Sequence, residues 1–103
     1  LFKDHRIKTS YVDQTSETSL RKLFKKFGKN FDLIIDDGMH SPLANLNVIL
    51  SSIEYLKKGG CLVIEDINQN SIFIWKAISS IIGIKHKNIL IKCKKAYVFI
   101  IYK

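Results

Sequence analysis

Several residue types that mark particular protein classes are scarce in this 103-residue sequence. Its two cysteines are too few for a disulfide framework, and we interpret Cys61 as a buried free thiol within a strand. Its five glycines fall at the ends of predicted elements and form no G-x-G-x-x-G fingerprint, so the usual dinucleotide loop is excluded. No apolar run has the roughly 20 residues of a membrane span, and the first residues show no signal-peptide pattern. We therefore expect a cytoplasmic protein without a membrane partner.

Acidic residues are also scarce, since nine Asp and Glu stand against 17 Lys and Arg, for a formal net charge of +8. A basic face can neutralise nucleic-acid phosphates, so a nucleic-acid-binding domain is one alternative. Lysine dominates, however, and arginine, the better reader of bases and phosphates, occurs only as Arg6 and Arg21. We interpret the charge as solvated surface and expect no nucleic-acid partner.

The chain has room for one domain with a modest core. Its hydrophobic share of 47% is typical of a globular protein. Because the first residue is Leu1 rather than Met, we expect the chain to be a fragment of a longer protein.

The spacing of apolar residues predicts an α/β protein with element order βαβαβαββ and a mostly parallel sheet. Three predicted helices run from Thr15 or Ser16 to Gly28, from Ser41 to about Lys57, and from Ser71 to Ile82. The predicted strands cover residues 6–12, 31–35 and 61–64, and a closing antiparallel hairpin covers 89–91 and 97–102. Continuous apolar runs such as 33–35 and 62–64 indicate strands covered by helices on both faces.

Two of these strands end abruptly in paired carboxylates. Asp36 and Asp37 follow the first run, and Glu65 and Asp66 follow the second. Neighbouring parallel strands lie about 5 Å apart, so carboxylates at their ends can share one ion. Oxygen ligands suit a hard cation such as Mg²⁺, whereas the alternative is that these acids only cap the following loops or helices.

His40 lies three residues after Asp37, at the start of a predicted helix. A neutral imidazole in this position can take the proton of a hydroxyl group, as a general base does. The alternative is an ordinary surface histidine in a loop.

The motifs of the chain together resemble a known family. They are Asp13-Gln14, then Phe31-Asp-Leu-Ile-Ile-Asp-Asp-Gly-Met-His40, then Leu56-Lys-Lys-Gly-Gly60, and finally Val63-Ile-Glu-Asp66. This series is similar to the C-terminal two-thirds of a class I S-adenosylmethionine-dependent methyltransferase. The nearest resemblance is to the metal-dependent sugar O-methyltransferases of macrolide biosynthesis and the related cephalosporin-hydroxylase-like group. It implies a partial Rossmann-like methyltransferase fold, with residues 1–103 as the C-terminal part of a single methyltransferase domain.

The resemblance also implies cofactors and residue roles. The cofactors would be S-adenosylmethionine and Mg²⁺, and the substrate a small molecule with a hydroxyl group, a sugar among the candidates. Asp37 and Asp66 would hold Mg²⁺ with Glu65 as a further ligand, and His40 would be the catalytic base. The cofactor-binding residues would be Asp13, Gln14 and Asp36, with Asp13 at the adenine amino group.

The sequence departs from the family pattern at two motif positions and in one larger respect. Val12 replaces a glycine before Asp13, and Met39 replaces a serine before His40. The family's first two strands and its Gly-rich cofactor loop are not in the sequence, so we expect the strand at 6–12 to lack a neighbour. We therefore expect the isolated fragment to be inactive and either to self-associate or to stay loosely packed, and a non-catalytic α/β module is a further alternative.

Overall fold

A computed structural model describes residues 4–28 and 30–103 of the chain. Within them, the chain forms three α-helices and four β-strands in the order α1 Glu17–Phe27, β1 Phe31–Asp36, α2 Pro42–Ser52, β2 Leu56–Ile67, α3 Ile72–Ile82, β3 Asn88–Lys92 and β4 Tyr97–Tyr102. Short turns of 3-10 helix at Ile53–Tyr55 and Gln69–Ser71 precede β2 and α3. None of the helices in these ranges is both long and apolar enough to cross a bilayer.

The described strands form one sheet in the order β1-β2-β4-β3. β1 pairs with β2 in parallel, and β4 is antiparallel to both of its neighbours, so β1, β2 and β3 all run in the same direction. The predicted α/β class and the antiparallel closing hairpin are thereby confirmed, but the sheet is mixed rather than mostly parallel, since two of its three described strand pairings are antiparallel. The carboxyl ends of β1 and β2 consequently meet at one edge of the sheet.

All three helices pack against the same face of the sheet. On that face Leu62 and Ile64 pair directly with Ile101 and Phe99, and all four are fully buried. Helices α1, α2 and α3 close this core with residues that are themselves buried: Leu20, Val48, Ile49, Trp75 and Ile78. The connections β1-α2-β2 and β2-α3-β3 both advance the same way across the sheet, so right-handed crossovers put their helices on one side.

The prediction that helices cover both faces is therefore wrong for the described chain. On the opposite face, Leu33 and Ile35 of β1 are 49% and 53% exposed, and Ile89 and Ile91 of β3 are exposed as well. Cys61, which the sequence predicted to be buried, is only half-buried on this face. We call this the open face of the sheet.

The predicted strand at 6–12 is also wrong. This segment contains one tight turn, closed by the Ile7 amide donating to the Asp4 carbonyl at 2.9 Å, and then an irregular stretch. Its side chains are exposed, with Tyr11 at 96%. A strand needs a neighbour to satisfy its backbone groups, and no described strand lies beside this segment.

Helix α2 begins as predicted and buries only part of the predicted apolar face. The Ser41 side chain accepts a hydrogen bond from the Ala44 amide, and Pro42 occupies the first turn. The sequence predicts an apolar face made of Leu43, Leu46, Ile49, Leu50, Ile53 and Leu56. Of these residues Ile49 and Leu56 are buried, whereas Leu43 and Leu50 are 70% and 50% exposed. The helix contacts the sheet through smaller or more central residues, namely Ala44, Asn45, Val48, Ile49, Ser51 and Ser52. The α-helix also ends at Ser52, before the predicted Lys57, because a 3-10 turn takes over.

Candidate functional site

Three side chains that could bind a metal meet at the carboxyl ends of β1 and β2. Asp37 follows β1, His40 precedes α2, and Asp66 lies near the end of β2. One potential ligand atom from each lies within 4.8 Å of the other two, and all three side chains are exposed. His40 Nε2 lies 3.8 Å from Asp66 Oδ2. Since ligands of open α/β sheets bind outside the carboxyl ends of the strands, this cluster occupies the expected crevice.

A β-bulge in β2 sets the position of Asp66. Ile64 pairs with Phe99 and Ile67 pairs with Tyr97, so β2 has one more residue than β4 across this interval. Simple alternation from Leu62 and Ile64 would turn residue 66 into the core, but the extra residue places Ile67 there instead, at 2% exposure. Asp66 adopts the left-handed conformation with φ of 53°, which aspartate tolerates better than most residues. The bulge therefore delivers a carboxylate to the rim of the sheet.

The loop between Asp37 and His40 is held by hydrogen bonds from amide side chains. Asp36 is 6% exposed, and its carboxylate accepts from Gln14 Nε2 at 2.9 Å and from Asn45 Nδ2 at 2.8 Å. The Gly38 amide donates to Asp36 Oδ1 at 3.2 Å, and the Met39 amide donates to Gln14 Oε1 at 2.8 Å. The glycine of the Asp-Asp-Gly motif lets the Gln14 side chain approach, because a Cβ at position 38 would force the end of that side chain to move.

Asp13 caps the turn that leads into α1. Its Oδ1 accepts from Thr15 Oγ1 at 2.6 Å and from the Thr15 amide at 2.9 Å. These bonds, the side-chain bond first, lower the pKa of Asp13 below its ordinary value of 3.8. The carboxyl group is exposed and carries its charge at neutral pH.

A cavity of about 410 Å³ lies between β1 and α1 and reaches the carboxylate end of β1. Its walls are mainly apolar, with Val12, Leu20, Leu23, Phe24, Ile34 and Val48 among the lining residues. Gln14, Asp36 and Asp37 line it as well, so the cavity adjoins the cluster. Its volume and mixed lining are typical of a small-molecule site.

The structure brings most of the predicted site residues to one edge of the sheet. Asp37, His40 and Asp66 form the cluster, while Gln14 and Asp36 are bonded to each other beside the cavity. Glu65 lies in the bulge, half-buried, and is not a member of the cluster. Sequence reasoning missed Asn45, a buried amide that stands between the apolar Ala44 and Val48 on the buried side of α2.

No protein-family model matches the sequence, and no curated protein matches it either. Among solved structures, the chain is similar to the MycE methyltransferase from the mycinamycin biosynthetic pathway, in two crystal forms of its complex with Mg and SAH. It is likewise similar to the MycE complex with Mg, SAH and mycinamycin VI.

The TM-score is 0.73 in each of these three comparisons, at 20% or 21% sequence identity. The match covers 98% of this chain but only 33% or 34% of MycE, so the chain spans about a third of the length of that protein. The likeness shows the fold, and the predicted partial methyltransferase fold is confirmed.

Proposed function

We propose that this chain supplies part of an S-adenosylmethionine-dependent, Mg²⁺-assisted O-methyltransferase that acts on a hydroxyl group of a small molecule. The observation that carries the proposal is the cluster of Asp37, His40 and Asp66 at the carboxyl edge of a sheet with the MycE fold. MycE itself is crystallised with Mg, SAH and, in one complex, mycinamycin VI. A sugar hydroxyl is the acceptor that the resemblance of the sequence motifs implies.

The donor set fits a hard divalent cation. Two ligands at the 2.0–2.1 Å typical of Mg²⁺ lie at most about 4 Å apart. The ligand atoms of the cluster lie within 4.8 Å of one another, so only small side-chain movements separate them from that spacing. In this proposal Asp37 and Asp66 bind the ion, and Glu65, the neighbouring residue in the bulge, is the further ligand. The bound ion would polarise the acceptor oxygen.

The cavity beside β1 suits the cofactor. Its apolar walls would take the adenine ring. Asp13 is not itself a lining residue, but it lies in the chain between Val12 and Gln14, which are, and in this proposal its charged carboxyl would accept a hydrogen bond from the adenine amino group. Gln14 and Asp36 line the cavity together with Asp37 of the cluster, which supports their assignment to the cofactor side of the crevice. S-adenosylmethionine would supply the methyl group.

His40 is the proton acceptor in this proposal. It lies at the entrance of α2, with Nε2 directed close enough to Asp66 that a hydroxyl group held at the cluster is within its reach. When the acceptor oxygen gains the methyl group, the hydroxyl proton passes to His40. Exposure of the cluster on one side leaves room for the acceptor to enter.

Transfer of a labelled methyl group by the full-length protein, with and without a chelator, tests the proposal. We expect transfer to stop on chelation and to return with Mg²⁺. In the His40→Ala variant turnover should fall by about 10²–10⁴-fold, the usual contribution of a general base. Affinity for S-adenosylmethionine should remain nearly unchanged, because the base acts only on the acceptor.

His5→Ala is the matched control, since the His5 side chain is 91% exposed and lies outside the cluster. Chelator-resistant transfer would contradict the role of the cation. Full turnover in His40→Ala would contradict the role of the base. Absence of S-adenosylmethionine binding by the full-length protein would favour a non-catalytic module.

A further inference from the structure

The Asp36 carboxylate is buried without a cationic partner in the described part of the chain. Buried carboxylates usually pair with a positively charged group, because burial of an isolated charge is costly. Asp36 forms four hydrogen bonds with neutral donors instead. Oδ1 accepts from Gln14 Nε2 and the Gly38 amide, and Oδ2 accepts from Gln14 Nε2 and Asn45 Nδ2.

These contacts come from three donor groups and engage both oxygens of the carboxylate. An ionised carboxylate offers about four lone-pair sites on its two oxygens. Because three donor groups engage both oxygens and the side chain is 6% exposed, Asp36 is not placed to bind the cation. Its place next to Asp37 therefore indicates a different task from that of Asp37, whose side chain is exposed in the cluster.

The donors that hold Asp36 also hold the peptide groups that follow it. Gln14 Oε1 accepts from the Met39 amide at 2.8 Å, and Asn45 Nδ2 donates to the Met39 carbonyl at 3.2 Å. Asn47 of α2 in turn donates from Nδ2 to the Gln14 carbonyl at 3.2 Å, so the backbone at Gln14 is tied to α2. Met39 lies between Asp37 and His40, so the network fixes the backbone on which both cluster residues depend.

We propose that Asn45 and Gln14 are positioning residues, which act through Asp36 to hold Asp37 and His40 opposite Asp66. The expected effect on cation affinity rests on the proposed function, in which the cluster binds a cation. Asn45 is the decisive member because it is 3% exposed and neither lines the cavity nor belongs to the cluster. Any effect of its substitution on the cluster must pass through the loop.

The test compares Asn45→Leu with the wild type in the full-length protein by two measurements. Amide hydrogen exchange at Gly38 and Met39, in the absence of metal, should become faster by about tenfold, the equivalent of one lost hydrogen bond. Affinity for Mn²⁺, followed by electron paramagnetic resonance as a probe for the cation, should fall by about 10- to 100-fold, as for other outer-shell partners. Exchange in the β2–β4 ladder should not change, which reports that the fold is kept.

Ser52→Ala is the matched control, because Ser52 is also a fully buried polar residue of α2 but its hydroxyl has no partner among the described residues. It should change neither measurement. If Asn45→Leu fails to fold, Gln14→Met supplies the same two measurements from a half-buried position.

The proposal is overturned if exchange at Gly38 and Met39 stays at the wild-type rate, or if it rises while Mn²⁺ affinity is unchanged. If the wild type binds no Mn²⁺, the cation part of the proposed function fails. Hydrogen exchange alone then decides whether Asn45 anchors the loop. Faster exchange at Gly38 and Met39 in Asn45→Leu supports the anchoring, and unchanged exchange overturns it.

Discussion

Three aspartates near the carboxyl end of β1 have different surroundings and therefore different capacities. Asp13 is exposed, and the described hydrogen bonds to its carboxylate come from Thr15 alone. Asp36 is buried and engaged by amide donors, whereas Asp37 is exposed beside His40 and Asp66. Residue type alone does not distinguish these roles, because the number of hydrogen bonds and the accessibility of the oxygens decide whether a carboxylate can bind a ligand.

The depressed pKa of Asp13 can be measured directly. The Thr15 hydroxyl is its main cause, so Thr15→Ala should raise the pKa of Asp13 toward its ordinary value of 3.8. Because the folded pKa is the lower one, the charged carboxylate stabilises the fold above the unfolded pKa, and this contribution is lost as pH falls through the folded pKa. Carbon-detected NMR titration of the carboxyl group provides the measurement.

Thr18→Ala, on the exposed part of α1, is the control and should leave the Asp13 titration unchanged. An Asp13 pKa that is the same in the wild type and in Thr15→Ala would refute the assigned cause.

At the scale of elements, the loop between β1 and α2 depends on a close approach between Gly38 and Gln14. A Cβ at position 38 would displace Gln14, whose Cδ would lie 3.3 Å away, and would disturb its bonds to Asp36 and Met39. We expect Gly38→Ala to lower the free energy of unfolding by about 1–3 kcal/mol, as other overpacked sites do. Denaturant unfolding measures the effect.

The Gln14→Ala background tests the cause of that loss. With the Gln14 side chain removed, Gly38→Ala should cost clearly less, and the difference is the coupling energy between the two positions. Equal costs in both backgrounds would show that Gln14 is not the obstacle.

The sequence predicted the elements that local signals define. Ser16 and Ser41 cap α1 and α2, and Gly28 ends α1 with φ of 85°, each at the expected boundary. The apolar runs that end in Asp37 and Asp66 indicated two neighbouring strands, and the structure pairs them in parallel. Capping and burial are short-range signals, so they can be read from a few adjacent residues.

Other features depend on residues far apart and could not be predicted in this way. The bulge at Asp66 exists only in register with β4. The bond between Gln14 and Asp36 joins residues 22 positions apart, and Asn45 becomes significant only once α2 is packed on the sheet. Residues 6–12 alternate as a strand does but have no described neighbour to pair with, so the pattern misled the prediction.

At the scale of the whole molecule, the open face and the free edge of β1 present apolar surface to solvent. Leu33 and Ile35 are about half exposed there, and β1 has a described strand neighbour on one side only. At about 25 cal/mol per Å², a few hundred Å² of uncovered apolar surface corresponds to several kcal/mol. This is comparable with the stability of a small domain, about 5–15 kcal/mol.

We therefore expect the 103-residue chain on its own to self-associate and to bind S-adenosylmethionine only weakly. Replacing Leu33 and Ile35 together by lysine should shift it toward monomer in light scattering, because charge on an edge strand opposes pairing. Lysine at Leu43 and Leu50, on the outer side of α2, is the control and should have less effect. A monodisperse wild-type monomer with micromolar cofactor affinity would contradict this prediction.

The central claim, that Asp37 and Asp66 bind a divalent cation, is tested most directly by calorimetric titration of Mg²⁺ into the full-length protein and its aspartate variants. Asp37→Asn and Asp66→Asn should each lower Mg²⁺ affinity by at least about tenfold, since even changes to outer-shell partners have this effect. Asp32→Asn makes the same change in net charge at a 75% exposed carboxylate paired with Lys57, away from the cluster, and should leave the affinity unchanged. If all three variants bind Mg²⁺ with the wild-type affinity, Asp37 and Asp66 are not its ligands. If all three lower the affinity equally, the effect is one of net charge, and the proposed site is contradicted as well.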